Sequence, residues 1–218
     1  MIPAREPKIA VTTAVLFGEF TPTVFQPAWF ARQNLLPEKE ASGAKIGIVH
    51  SDITAFQTEW LQFQVGKDRF TATCLKDDAI PLLQDLLKGT FHFFPQNPVT
   101  MLDIVRSFHF QMESEAAWHG IGHKLVPKEI WNPLLDSPGM RTLTVEGKRQ
   151  DGREGLILVT VQPSAQLVHG VYIQVNDQYQ LVKNGTPESA ANTMRLMEEM
   201  WRGSLDRANK IGQAIIAQ

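Results

Sequence analysis

Ala28-Trp29-Phe30, followed by Leu35-Leu36-Pro37-Glu38-Lys39-Glu40, is echoed by Ala117-Trp118-His119, followed by Leu125-Val126-Pro127-Lys128-Glu129. Each copy comes after a strand-like run, Lys8 to Phe17 in one case and Met101 to Phe110 in the other. Each then leads into alternating segments and a helix. An internal repeat constrains architecture more than any single residue, because each copy is one supersecondary unit. It predicts an α+β fold of duplicated β-α-β-β-β-α units, about residues 8–94 and 101–217. With no low-complexity linker between them, the expected arrangement is a single domain over 1–218.

Working outward, Ile9 to Phe17 is β-branched and strand-like, and a short helix over Ala28 to Asn34 is limited by Pro37. Ile46 to Ile53 is a second strand candidate. Leu61, Phe63 and Val65 alternate with Trp60, Gln62 and Gln64, Gly66-Lys67-Asp68 supplies a turn, and Phe70, Ala72 and Cys74 continue the apolar face. That pattern is a half-buried hairpin. Asp77 or Asp78 is positioned to cap a helix carrying Ile80, Leu83, Leu86 and Leu87 and ending near Gly89.

In the second half, a strand from Met101 to Met112 sets Leu102, Ile104, Phe108 and Phe110 against Val105, Ser107 and His109. Glu113 to Leu135 reads as broken helix. Strands over Arg141–Arg149, Gly155–Gln162 and Leu167–Gln178 follow, with Asp151-Gly152 as a hairpin signal between the first two. Thr186 as N-cap and Pro187 at the first helical position open a long amphipathic helix to Ala217.

These meanders predict one largely antiparallel sheet with helices packed on one face. The helix-free face is then lined by Gln62, Gln64, Arg69, Thr71, Thr73, His109, Tyr172 and Gln174. It is the expected place for a ligand or partner, with Gln62, Gln64, His109, Tyr172, Gln174 and Arg106 as binding candidates. Arg106 enters because it interrupts an apolar strand face, where a buried cation requires a carboxylate or a bound anion.

Composition narrows the function classes. Of 218 residues, 43% are hydrophobic and 20% charged, as in ordinary globular proteins. The net charge of −2, with signs interspersed, gives no footprint for nucleic acid or an anionic membrane. The lone Cys74 excludes an internal disulfide and fits a reducing compartment, so a cytoplasmic protein is expected. No segment has the length of a membrane span.

Chemistry-bearing motifs are sparse. His119 and His123, four residues apart, share a face if helical, as metal-binding pairs do. A third ligand would have to come from His109, Glu113 or Glu115, and Gly120 stands where a metalloprotease helix carries its Glu. Trp29, Trp118 and Trp131 are aromatic-cage candidates, although repeat-equivalent aromatics serve more often as core anchors. His50, Ser51 and Asp52 are adjacent, which points neighbouring side chains apart rather than into a triad. No catalytic set, metal or cofactor is assigned.

Gln62-Phe63-Gln64-Val65-Gly66-Lys67-Asp68-Arg69-Phe70, the helix Leu82 to Leu87 and then Val105-Arg106-Ser107-Phe108-His109-Phe110 resemble a sporadically distributed family of uncharacterised prokaryotic proteins. Val171-Tyr172-Ile173-Gln174-Val175 and the closing helix are also similar, whereas Trp118 to Trp131 departs from that pattern. The resemblance carries no activity onto any residue. The expected function is therefore a non-enzymatic protein binding a small molecule or protein, on the open face or between the halves. The competing expectation is a hydrolase-like enzyme using His119, His123 and an acid, with or without a metal. A homodimer through the last helix is the expected way to cover its stripe from Met194 to Ile215.

Overall fold

The computed structural model describes residues 5–218. Alternation of apolar and polar residues builds ten strands into one antiparallel sheet. The first seven elements are β1 (Ile9–Gly18), α1 (Pro27–Arg32), α2 (Glu38–Ser42), β2 (Lys45–Val49), β3 (Ile53–Gln57), β4 (Leu61–Gly66) and β5 (Arg69–Cys74). Then come α3 (Ile80–His92), β6 (Pro98–Gln111), α4 (Glu115–Leu125), β7 (Leu143–Lys148) and β8 (Leu156–Pro163). β9 (Gly170–Gln180), the short β10 (Glu188–Ser189) and α5 (Ala190–Ile216) close the chain.

The sheet order is β2-β3-β4-β5-β1-β6-β9-β8-β7, with β10 pairing β6 off the main path. β1 and β6 lie at the centre, paired antiparallel from Ile9 opposite His109 to Phe17 opposite Met101. The register shifts at Gly18, where an added Cβ would stand 2.1 Å from the Pro98 carbonyl oxygen.

One face of the sheet carries both apolar cores and the helices packed on them. Under the first half lies a phenylalanine-rich core in which Phe63 meets Phe70 at 4.9 Å and Phe30 at 5.2 Å between ring centroids. Under the second half, Phe108, Phe110, Val161, Val171, Ile173 and Val175 pack against α4 and the end of α5. Helix α5 spans both cores, contributing Met194, Met197 and Trp201 to the first and Ala208 and Ile216 to the second. Gly212 lets it approach the sheet, since a Cβ there would lie 3.3 Å from the Phe108 ring. Of the stripe expected to need a second copy, Met194, Met197, Trp201 and Ala208 are buried within the chain, and Leu205, Ile211 and Ile215 are half-buried.

Between the cores runs a polar seam on the helix side. Arg149 and Asp177, whose side chains are each 1% exposed, form an ion pair, and Arg207 of α5 joins Asp177 from the other side. Asp151 receives Arg149 at 2.5 Å, and the Arg149 guanidinium stacks 3.7 Å over the Tyr179 ring. The Arg149 contact holds the Asp151 carboxyl down at about 2. This network ties the β7–β8 turn, β9 and α5 together.

Several local expectations need correction. Ile46–Ile53 is not one strand: His50 to Asp52 turn the chain between β2 and β3, with the His50 N–H donating to the Ile53 carbonyl. Helix α3 runs through Gly89 to His92, and no side chain caps it, because Asp77 is drawn to Arg106. Helix α5 begins at Ala190 with Ser189 as N-cap, since Glu188 and Ser189 first pair with β6. Among the described residues there are five α-helices. Among the described residues, no helix is long and apolar enough to cross a membrane.

Candidate functional site

Period-2 geometry sends alternate residues of each strand to the face that no helix covers. No residue of either apolar core lies on that face. Register places Gln62 opposite Thr73 and Gln64 opposite Thr71, then Thr73 opposite Thr13 of β1, their hydroxyls 2.9 Å apart. Across the centre, Ser107 of β6 faces Gln174 of β9, and His109 faces Tyr172. Beyond them Thr160 and Thr144 pair at 3.2 Å. The face is therefore mixed: these amides and hydroxyls are interleaved with Val11, Val15, Phe17, Val105 and Leu158 and with the charged Arg69, Asp103, Glu146 and Lys148.

Five of the six binding candidates share this face. His109, Tyr172 and Gln174 form one group: the His109 and Tyr172 rings are 4.8 Å apart, and Gln174 Nε2 donates to the Tyr172 hydroxyl at 3.0 Å. Tyr172 in turn donates to Ser107 Oγ at 3.1 Å. Gln62 and Gln64 lie three strand steps from His109 and four from Tyr172 and Gln174, about 14–19 Å at the usual strand spacing, so they mark the far part of the same surface.

Arg106 is elsewhere. It points to the helix side, where Asp77 accepts two hydrogen bonds at 2.8 Å, Thr12 Oγ1 a third at 2.6 Å, and the Phe108 ring lies 5.3 Å away. The carboxylate its burial demands is thus supplied by the chain itself. Cys74 is also on that side, its thiol donating to the Lys76 carbonyl, and burial raises its pKa, which keeps it unreactive.

The central strand holds polar groups that the alternation alone did not single out. Asp103, Ser107 and His109 are all buried although no helix covers them, because side chains of the neighbouring strands close over them. Ser164 Oγ accepts the backbone N–H groups of Gln166 and Leu167 at 3.1 and 3.0 Å, so its own proton goes to His109 Nδ1 at 2.7 Å. His109 then carries its proton on Nε2, and burial lowers its pKa, leaving it neutral at pH 7. Serine and histidine are at nucleophile-to-base distance. Yet no carboxylate among the described residues orients the ring, and burial opposes the imidazolium that acyl transfer would generate. The pair fixes the Pro163–Gly170 turn.

The alternative site is a cleft on the helix side, lined by Trp118, His119, Ile121, His123, Met140 and Val171, with a volume of about 90 Å³. Helix α4, capped by Ser114, brings His119 and His123 together with ring centroids 6.0 Å apart. Glu115 lies 3.7 Å from His119. The other proposed third ligands are withdrawn: His109 faces the opposite side of the sheet, and Glu113 pairs with Arg5 at 2.6 Å. Among the described residues, no three His, Cys, Asp or Glu side chains are grouped to hold a metal ion.

The three tryptophans do not converge on a cage. Trp29 packs on Phe25, Phe93 and Phe94 in the first core. Trp118 donates to the Gly170 carbonyl at 3.0 Å beside the second core. Trp131 lies in an exposed turn with Ile130, Leu134 and Leu135. No protein-family model matches the chain, and no curated protein matches it.

Proposed function

We propose that the chain is a non-enzymatic binding protein that receives a small molecule or a protein segment on its helix-free sheet face. One observation carries this reading: a wide face that no helix covers and that is no part of either core, at whose centre Ser107 and His109 are buried and Ser107, Tyr172 and Gln174 are hydrogen-bonded together. Preorganised donors and acceptors of this kind recognise neutral polar groups at little entropic cost. The net charge of −2, with no basic patch on the face among the described residues, argues against a nucleic acid occupant.

The face is read as the product of a duplication within a single domain over 1–218, with halves near 8–94 and 101–217. Outward from the β1·β6 pair the order is β5, β4, β3, β2 on one side and β9, β8, β7 on the other, which supports that reading. The Trp29 and Trp118 helices follow the two central strands in the same way. The second half simply has one fewer edge strand. On the same hairpin, central strand and closing helix we place the chain with the sporadically distributed prokaryotic family, as a cytoplasmic protein.

A thermal-shift screen of neutral polar metabolites tests the function. Hits on the native protein should be lost in a Tyr172→Ala/Gln174→Ala variant and kept in His119→Ala/His123→Ala. The reverse pattern would favour the cleft beside α4 and the enzyme reading.

A further inference from the structure

Among the described residues, Asp103 is the one acidic side chain buried on the helix-free face. It stands in the middle of β6, opposite Val15 of β1 and Gln178 of β9, and is 5% exposed. Its Oδ2 accepts from Asn176 Nδ2 at 2.9 Å. Its Oδ1 has no hydrogen-bond partner, and neither has the Asn176 Oδ1. Burial raises the carboxyl pKa, against the opposing effects of the Asn176 and Gln178 amides and the Arg69 charge. Arg69 does not pair with it; its guanidinium lies over the Phe17 ring at 5.0 Å.

Two neighbouring oxygen acceptors, one carrying a formal charge, therefore lack donors inside a sheet whose other buried polar groups are nearly all satisfied. The buried Arg106 and Arg149 show the opposite arrangement, each provided with a carboxylate by the chain. What Asp103 and Asn176 lack is a group that brings N–H donors and positive charge together. We propose that Asp103 and Asn176 form a recognition point for a guanidinium or primary ammonium group entering from the helix-free face. This rests on the open-face reading and names the ligand chemistry for its centre. The acceptors are closed to solvent, so entry requires the long Gln178 and Arg69 side chains to swing aside. Arg69, as a nearby cation, opposes the incoming group electrostatically.

The test is a titration at pH 7 and matched ionic strength, followed by ¹H–¹⁵N spectra of the Asp103 backbone amide and the Asn176 side-chain amide. The probes are methylguanidinium, methylammonium and, as a cation without N–H donors, tetramethylammonium. Saturable shifts with the first two and none with the third are expected. Asp103→Asn should abolish them, Arg69→Gln should tighten binding by about 2- to 10-fold, and Asn176→Ser should weaken it several-fold even if Asp103→Asn proves unfolded. A blocked Gly-Arg-Gly peptide binding at least tenfold tighter than methylguanidinium would identify a protein side chain as the source of the cation. Equal affinity would identify a small free cation. Shifts that are linear in salt, shared by tetramethylammonium or unchanged in Asp103→Asn overturn the proposal. If they fail while neutral metabolites still perturb Tyr172 and Gln174, the open-face reading survives and only the cation site falls.

Discussion

Replacing Asp177 by Ala removes the carboxylate on which Arg149 and Arg207 converge. The Arg149 side chain is 1% exposed, so the lost partner cannot be replaced by water. Breaking one partner of a buried ion pair typically costs about 3–5 kcal/mol. Arg149 keeps Asp151 through two hydrogen bonds, at 3.1 and 2.5 Å, and the Gln178 carbonyl at 3.2 Å. The lower end, about 3 kcal/mol, is therefore expected. For a chain of this size that corresponds to a fall of about 6–12 °C in Tm. Urea unfolding followed by circular dichroism should show a lower midpoint with an unchanged slope. Arg149→Met/Asp177→Leu should recover much of the loss, because apolar replacement removes the stranded charge along with its partner. A loss below about 1 kcal/mol for Asp177→Ala, the scale of an exposed pair, would refute the view that this seam locks α5 to the sheet.

The seam also predicts acid sensitivity. Asp151 is held at about 2 against 3.8 unfolded, so its contribution is present above pH 4 and disappears as pH falls from about 4 to 2. With solvent screening at this part-exposed group it amounts to about 1 kcal/mol, measurable as a smaller acid slope in Asp151→Asn. Asp103 has the opposite sign: its pKa is raised, so Asp103→Asn should gain stability at pH 7–8 and lose that advantage as pH falls toward 4, read from Tm across pH. Met197→Asp, at a fully buried position, should unfold or aggregate the chain rather than yield a folded monomer, as light scattering and circular dichroism would show. Metal analysis of purified protein should find no stoichiometric zinc; near-unit zinc lost on replacing His119 or His123 would restore the metal-dependent alternative.

The elements legible in the sequence are those whose signal is local. The β4–β5 hairpin follows from strict alternation around Gly66-Lys67-Asp68, and the polarity of the open face follows from the same parity. Arg106 announced its need for a carboxylate by interrupting an apolar face, although Asp77, 29 positions earlier, could not be identified without the fold. What was hidden depends on long-range pairing. Glu188 and Ser189 look like the first turn of a helix until β6 claims them. His50 to Asp52 lack the glycine or proline that would mark a turn between β2 and β3. The Arg149–Asp177–Arg207 seam joins residues up to 58 positions apart, beyond the reach of any spacing rule. Asp103 was passed over because its neighbours Leu102 and Ile104 satisfied the apolar pattern of the other face.

The most direct test of the helix-free face is a protein-observed NMR map of a fragment set rich in amides, alcohols and amines. Perturbed amides should cluster at Ser107, His109, Tyr172, Gln174 and Asn176 and extend toward Gln62 and Gln64, with helix-side residues silent. Perturbations concentrated at Trp118, His119, His123 and Met140, leaving the open face unmoved, would contradict the account.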